Sequence, residues 1–245
     1  MTLLSATGIS KRYGGLMALS EVDFTVGAGE FVAVIGPNGA GKSTFLNVLT
    51  GLTPPSAGKV VLGGADITRS ATHKRIRAGL GRTFQHGRLF SRLSVIENVM
   101  TGAAIRPERD AAYVRDHSRG ILASMGLEEV ADRPIGALSY GQRRMVELCR
   151  ALACGPRVLM LDEPAAGLNS GEVELLMQRL TSLREKHELA VVLIEHNMGM
   201  VMRLAQRILV LNFGCKIAEG APAAIQSDPA VLSAYLGEGY GNAGS

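Results

Sequence analysis

The segment that most restricts the fold of this 245-residue chain is the apolar run Phe31–Ile35 followed at once by Gly36-Pro-Asn-Gly-Ala-Gly41-Lys42-Ser43. A short continuous apolar run reads as a strand covered on both faces, and Lys42 to about Leu49 reads as a helix. The stretch matches G-x-x-x-x-G-K-[ST] in the strand-loop-helix context that the pattern requires. Glycines there let backbone N–H groups turn inward around phosphates, and the helix N-terminus adds partial positive charge. Gly36, Asn38, Gly39, Gly41 and Thr44 are accordingly candidate nucleotide-binding positions. Lys42 supplies a point charge to the β- and γ-phosphates, and Ser43 a hydroxyl to Mg²⁺.

A second apolar run, Val158-Leu-Met-Leu161, ends in Asp162-Glu163. An Asp at such a strand tip reads as a partner of Mg²⁺. Glu163, one position further on, is placed to orient and deprotonate an attacking water. Either acid alone is equally a cap for the loop before Pro164. Beside a phosphate loop the pair points to a Mg²⁺-dependent nucleoside triphosphatase.

Elsewhere the pattern is α/β. Val22, Phe24 and Val26 alternate with polar residues, the period of a half-buried antiparallel strand, and Lys59–Leu62 is a further strand. From Ser94 to about Met125 the chain reads as mostly helical, opened by a Ser94/Glu97 capping box. Ser139 with Gln142 repeats that device before Met145, Leu148, Cys149 and Leu152, which share one helix face. Beyond Pro156, strands at Val158–Leu161, Leu189–Ile194 and Ile208–Leu211 alternate with helices at Glu172 to about Lys186 and Met198–Ala205. That alternation argues a mostly parallel sheet, with the helical middle inserted into an α/β core.

Composition removes several classes. With 47% hydrophobic and 20% charged residues the chain is neither disordered nor fibrous. Aromatics make up 4% and Trp is absent, which disfavours base-stacking nucleic-acid binders. No apolar run approaches a membrane span, and no secretory signal is visible at Met1 onward. Cys149, Cys154 and Cys215 are scattered, as expected of reduced thiols in a cytoplasmic protein. Net charge is +4, yet seven Lys/Arg and no acid fall between Arg69 and Arg92. Such a run is a solvated face, or one that meets anionic headgroups or a partner protein.

Leu138-Ser139-Tyr140-Gly141-Gln142 lies 23 residues before Asp162, counted from Ser139. With the phosphate loop it resembles the signature motif of ATP-binding-cassette (ABC) ATPases, usually Leu-Ser-Gly-Gly-Gln. In that family Ser139, Gly141 and Gln142 would bind the γ-phosphate of ATP held by an opposite subunit, implying a head-to-tail dimer. Gln85 in Arg82-Thr-Phe-Gln85 resembles the Q-loop glutamine that senses Mg²⁺ and the γ-phosphate. His196 in Leu193-Ile-Glu195-His196 resembles the switch histidine, and Tyr13 the aromatic residue that stacks on adenine. The resemblance runs from about Leu3 to Leu236. It implies one cassette at 1–236: an α/β phosphate-loop core, an antiparallel β subdomain and a helical subdomain near 87–155. Residues 237–245 read as a flexible tail. Two departures stand out: Tyr140 replaces the usual Gly, and Asn169 replaces the usual Asp of the loop Ala165-Ala166-Gly167-Leu168-Asn169.

Arg82-Thr-Phe-Gln-His-Gly-Arg-Leu-Phe, Leu-Ser-Tyr-Gly-Gln and the ending Asp228-Pro-Ala-Val-Leu-Ser-Ala-Tyr-Leu-Gly237 further resemble the first of two ATPase subunits of branched-chain amino-acid importers. Such a subunit implies two membrane permeases, a second related ATPase (or a second copy), a periplasmic binding protein and a place on the cytoplasmic face of the inner membrane. Importers of urea or amides and lipopolysaccharide-export cassettes share much of this vocabulary. ABC ATPases of DNA repair carry long coiled coils between the phosphate loop and the signature. Here about a hundred residues without sustained heptads intervene. A purely regulatory binding module is disfavoured by intact Lys42, Asp162, Glu163 and His196.

Overall fold

The computed structural model describes residues 2–83, 89–105 and 109–236, without the side chains of residues 185–187 and 236. Two sheets organise it. The central one has six strands in the order β10-β9-β3-β8-β7-β6. These are β3 (Phe31–Ile35), β6 (Leu80–Arg82), β7 (Val158–Asp162), β8 (Ala190–Ile194), β9 (Arg207–Asn212) and β10 (Cys215–Gly220). All neighbours are parallel except β10, which returns antiparallel along β9. The smaller sheet is antiparallel, β2-β1-β4-β5, from β1 (Thr2–Tyr13), β2 (Leu16–Gly27), β4 (Ala57–Leu62) and β5 (Ala65–Asp66).

Strands β3, β7 and β8 are buried at every position, which is why each reads as an unbroken apolar run. Successive side chains enter different cores. Leu159 and Leu161 pack with the helical middle of the chain, whereas Val158 and Met160 pack towards the antiparallel sheet. That middle comprises α3 (Val95–Ala103), α4 (Ala111–Ser124) and α5 (Tyr140–Ala153), following α1 (Lys42–Thr50) and the short α2 (Thr72–Arg77). The mostly helical stretch expected from Ser94 to about Met125 is two helices, each with its own side-chain cap, Ser94 and Asp110. The C-terminal third adds α6 (Ser170–His187), α7 (Met198–Leu204), α8 (Pro222–Gln226) and α9 (Pro229–Leu236). Phe24 of β2 meets Phe45 of α1 edge to face at 5.5 Å, tying the antiparallel sheet to the phosphate-loop helix.

The basic run from Arg69 to Arg92 is not simply a solvated face. Arg75 is buried, 1% exposed, and donates to the Val48 and Leu49 carbonyls at the end of α1 and to those of Thr68 and Ser70. It thereby satisfies acceptors that a helix C-terminus leaves open and complements its negative end. Arg82 is partly buried, its side chain 10% exposed, and its partners belong to the site.

Candidate functional site

The phosphate loop is shaped by contacts that allow no side chain. Gly36 has φ 149°, and a Cβ there would run into the Leu211 carbonyl oxygen of β9. Gly41 has φ 101°, and a Cβ would lie 2.7 Å from the Ala18 carbonyl oxygen. Gly41 also occupies the N-cap of α1, so no side-chain oxygen caps that helix. Its first N–H groups and partial positive end face the loop. The Lys42 ammonium is tucked across the loop, donating to the Gly36 and Pro37 carbonyls at 2.6 and 2.8 Å.

A cleft of about 390 Å³ opens over this loop. Asn38, Gly39, Gly41, Lys42, Ser43 and Thr44 form its polar floor, Tyr13, Leu16, Met17 and Phe213 its apolar rim, and Glu163 also lines it. Tyr13 is half exposed, with the Lys11 ammonium 4.9 Å from its ring centroid. The structure thus gathers the loop residues from Asn38 to Thr44, Tyr13 and Glu163 around one space, while Gly36 is not among its walls.

Asp162 ends β7 with its side chain 6% exposed. Burial pushes its carboxyl upward from the ordinary range, and the Arg82 guanidinium, 3.0 Å from Oδ2, opposes that. Arg82 donates as well to Asn47 Oδ1 and Thr50 Oγ1 of α1, so one cation joins β6, β7 and the phosphate-loop helix. Sequence reasoning misses this role because a run of like charges carries no sign of a carboxylate partner 80 residues away. Glu163 follows in the left-handed region, φ 48°, where a non-glycine residue is held only by its surroundings. Its N–H donates to the Ile194 carbonyl at 2.9 Å, which locks the residue to the end of β8. His196 Nδ1 lies 3.7 Å from Glu163 Oε1, and the imidazole is 71% exposed.

Between them sits a residue the sequence did not single out. Glu195 is 1% exposed, and its carboxylate accepts N–H groups from Ala165, His196 and Asn197 at 2.8–3.0 Å. A Glu set between a buried strand and His196 is the available signal. Gln85 lies outside the described residues, as does the tail at 237–245.

The signature residues form a different surface. Ser139 and Gln142 make the capping box of α5, each side chain bonding the other's backbone N–H at 3.0–3.1 Å. Neither they nor Gly141 are walls of the 390 Å³ cleft. Tyr140 donates its hydroxyl to the Ala166 carbonyl at 3.1 Å, and its ring sits against Gly167, where a Cβ would come within 2.9 Å. The residue that replaces the usual Gly therefore pins the signature to the loop after β7. Asn169 caps α6 and, with Glu172, completes a third capping box.

A glycine loop on a helix N-terminus, with an acid pair at the tip of the second parallel strand along, defines a phosphate-loop nucleotide-binding domain. The comparisons make the class specific: a family model described as ABC transporter matches residues 19–166. The chain belongs to that family and is one of its ATP-binding cassettes, the ATPase component. A second family model, described as branched-chain amino acid ATP-binding cassette transporter, matches residues 215–241.

Among curated relatives, the high-affinity branched-chain amino acid transport ATP-binding protein BraF of Pseudomonas aeruginosa is 40% identical, over 96% of this chain and 98% of its own length. The lipopolysaccharide export system ATP-binding protein LptB of Escherichia coli K12 is 35% identical, over 98% and 99%. Among solved structures, an ATP-binding cassette of an ABC transporter in its ADP conformation superposes with a TM-score of 0.87 at 31% identity, covering 97% of this chain and 99% of that one. A dimeric bacterial ABC transporter cassette gives 0.81 at 29%, covering 90% and 99%. Among the described residues no helix is long and apolar enough to cross a membrane.

Proposed function

We propose that this chain is the ATP-hydrolysing subunit of a membrane importer for branched-chain or related amino acids. The match of residues 215–241 to the branched-chain family, beyond the residues 19–166 matched by the general ABC transporter model, supports that choice, as does 40% identity to BraF against 35% to LptB. In this reading the loop from Gly36 to Thr44 holds the phosphates, Tyr13 meets the base, and Glu163 orients and deprotonates the attacking water with His196 beside it. The Ser43 hydroxyl and the Asp162 carboxylate are hard oxygen donors, the set that Mg²⁺ prefers, so the residues fit that ion. When bound, Mg²⁺ neutralises charge on the phosphates. Gln85 is assigned to the same end of the nucleotide.

Ser139, Gly141 and Gln142 complete the site of a second cassette, a related ATPase or another copy, in a head-to-tail dimer. The dimer sits at the cytoplasmic face of the inner membrane under two permeases fed by a periplasmic binding protein. Nucleotide binding favours closure because it bridges two chains, and hydrolysis removes the bridge.

The test is a mild-detergent pull-down from native membranes. Two multi-span permeases and a different cassette ATPase co-purify if the reading holds; a homodimer under an export-type permease overturns it. The chemistry has its own check. Glu163→Gln retains ATP and lowers hydrolysis by about 10²–10⁴-fold, the usual worth of a general base. Normal turnover in that variant removes Glu163 from the role.

A further inference from the structure

β9 and β10 are joined by the two residues Phe213-Gly214, with Asn212 and Cys215 paired on either side. Both turn residues have positive φ, 44° and 77°, as the mirror-image hairpin turn requires. That turn favours Asn-Gly, because Asn tolerates the left-handed region and a bulky side chain there is strained. Phe213 nonetheless occupies the position, and it gains nothing from the core. At 86% exposure it is the most exposed of the large apolar side chains among the described residues. An exposed aromatic residue in a strained conformation calls for an explanation outside folding.

The position supplies one. Phe213 lines the cleft over the phosphate loop together with Tyr13, Leu16 and Met17. The turn is registered to the loop by hydrogen bonds. Gly214 N–H donates to the Ala40 carbonyl at 3.0 Å, and Ser20 N–H donates to the Gly214 carbonyl at 2.9 Å. A Cβ on Gly41 would stand 3.4 Å from the Gly214 Cα, so the two backbones touch. The Phe213 backbone is thus fixed relative to Lys42 and Ser43 before any ligand arrives. A cleft with a cationic, N–H-rich floor and an apolar, aromatic rim fits a ligand with phosphates at one end and a flat ring at the other.

We propose that Phe213 is a second base-contacting residue of the nucleotide cleft, one that selects for the presence of a stacking base and not for its edge. This rests on the reading of the cleft as the ATP site. A phenyl ring has no hydrogen-bonding group, so it contacts the base through its face, an interaction that tolerates different bases. The strain of the turn is then retained for binding.

The test compares ATP with inorganic tripolyphosphate on the full chain, using Phe213→Asn and Phe213→Trp. Phe213→Asn weakens ATP binding about tenfold and leaves tripolyphosphate binding within about twofold, since only the contact with the base is lost. The same variant unfolds at a higher temperature than the parent, because Asn suits the turn. A purely structural Phe213 would not move the two readouts in opposite directions. The chain has no Trp, so Phe213→Trp places its only indole at the rim. Its emission shifts on adding ATP and stays constant with tripolyphosphate.

Unchanged ATP affinity in Phe213→Asn, or indole emission in Phe213→Trp that is indifferent to ATP, overturns the proposal. A parent chain that binds neither ATP nor tripolyphosphate would instead overturn the reading of the cleft beneath it.

Discussion

Two helix N-termini, those of α1 and α5, are the proposed phosphate sites of this protein, and they are built in opposite ways. At α1 the cap is Gly41, with no side chain, and the loop before it is walled by Ala18 and Leu211. The far end of the same helix is held by buried Arg75. At α5 the cap is filled by Ser139 and Gln142, which bond each other, while Tyr140 stands 45% exposed on the surface. The first end lies under an open cleft, with Asn38, Gly39 and Ser43 exposed, and has no side-chain cap of its own. The second is already satisfied within the chain and open to one side. In the proposed dimer the uncapped end holds its own chain's nucleotide, whereas the end that completes another chain's site keeps its local hydrogen bonds and stays folded until then.

The comparison breaks most visibly at Lys42. Lys42→Ala removes the charge from the glycine loop, and hydrolysis falls by about 10³-fold, with ATP affinity falling too in equilibrium titration. Retained binding would mean that the backbone N–H groups and helix dipole suffice. The anchoring of α1 is tested by Arg75→Met, which keeps the apolar stem but takes the donor from the Leu49, Thr68 and Ser70 carbonyls, while Val48 retains the Gly51 N–H. Leaving buried acceptors open costs about 3 kcal/mol, a fall of roughly 10 °C in Tm for a chain this long. An unchanged Tm would show that the helix end is satisfied otherwise.

Ser139→Ala sharpens the contrast at the open site. It costs about 1 kcal/mol as a lost cap and leaves ATP affinity of the isolated chain within about twofold. Hydrolysis at saturating ATP and high protein concentration drops about tenfold, because only the second chain's site is incomplete. Equal loss of monomer affinity would place Ser139 in its own chain's cleft.

What the sequence disclosed, and what it hid, follows from the range of the interactions. Buried strands, the glycine loop and two capping boxes are written in contiguous residues, and they were legible. β1 was not: its pairing with β2 slips register at several points between Thr2 and Arg12, so alternation is broken. The short α2 has no side-chain cap at all. Arg75 and Arg82 were grouped with their neighbours by sign of charge, yet their partners lie 27 and 80 residues away at Val48 and Asp162. Tyr140 was seen only as a departure, because its partner Ala166 is 26 residues distant. Phe213 carried no local signal until its positive φ was known.

Glu195 has a consequence of its own. One carboxylate spans two connections, accepting Ala165 of the loop after β7 and His196 and Asn197 of the loop after β8. Tyr140 is bonded to Ala166, the next residue along that first loop. The signature helix, the loop ending at Asn169 and the histidine beside Glu163 therefore form one linked train. In the proposed head-to-tail dimer, that train gives a neighbouring chain seated on the start of α5 a continuous hydrogen-bonded path to the backbone of His196.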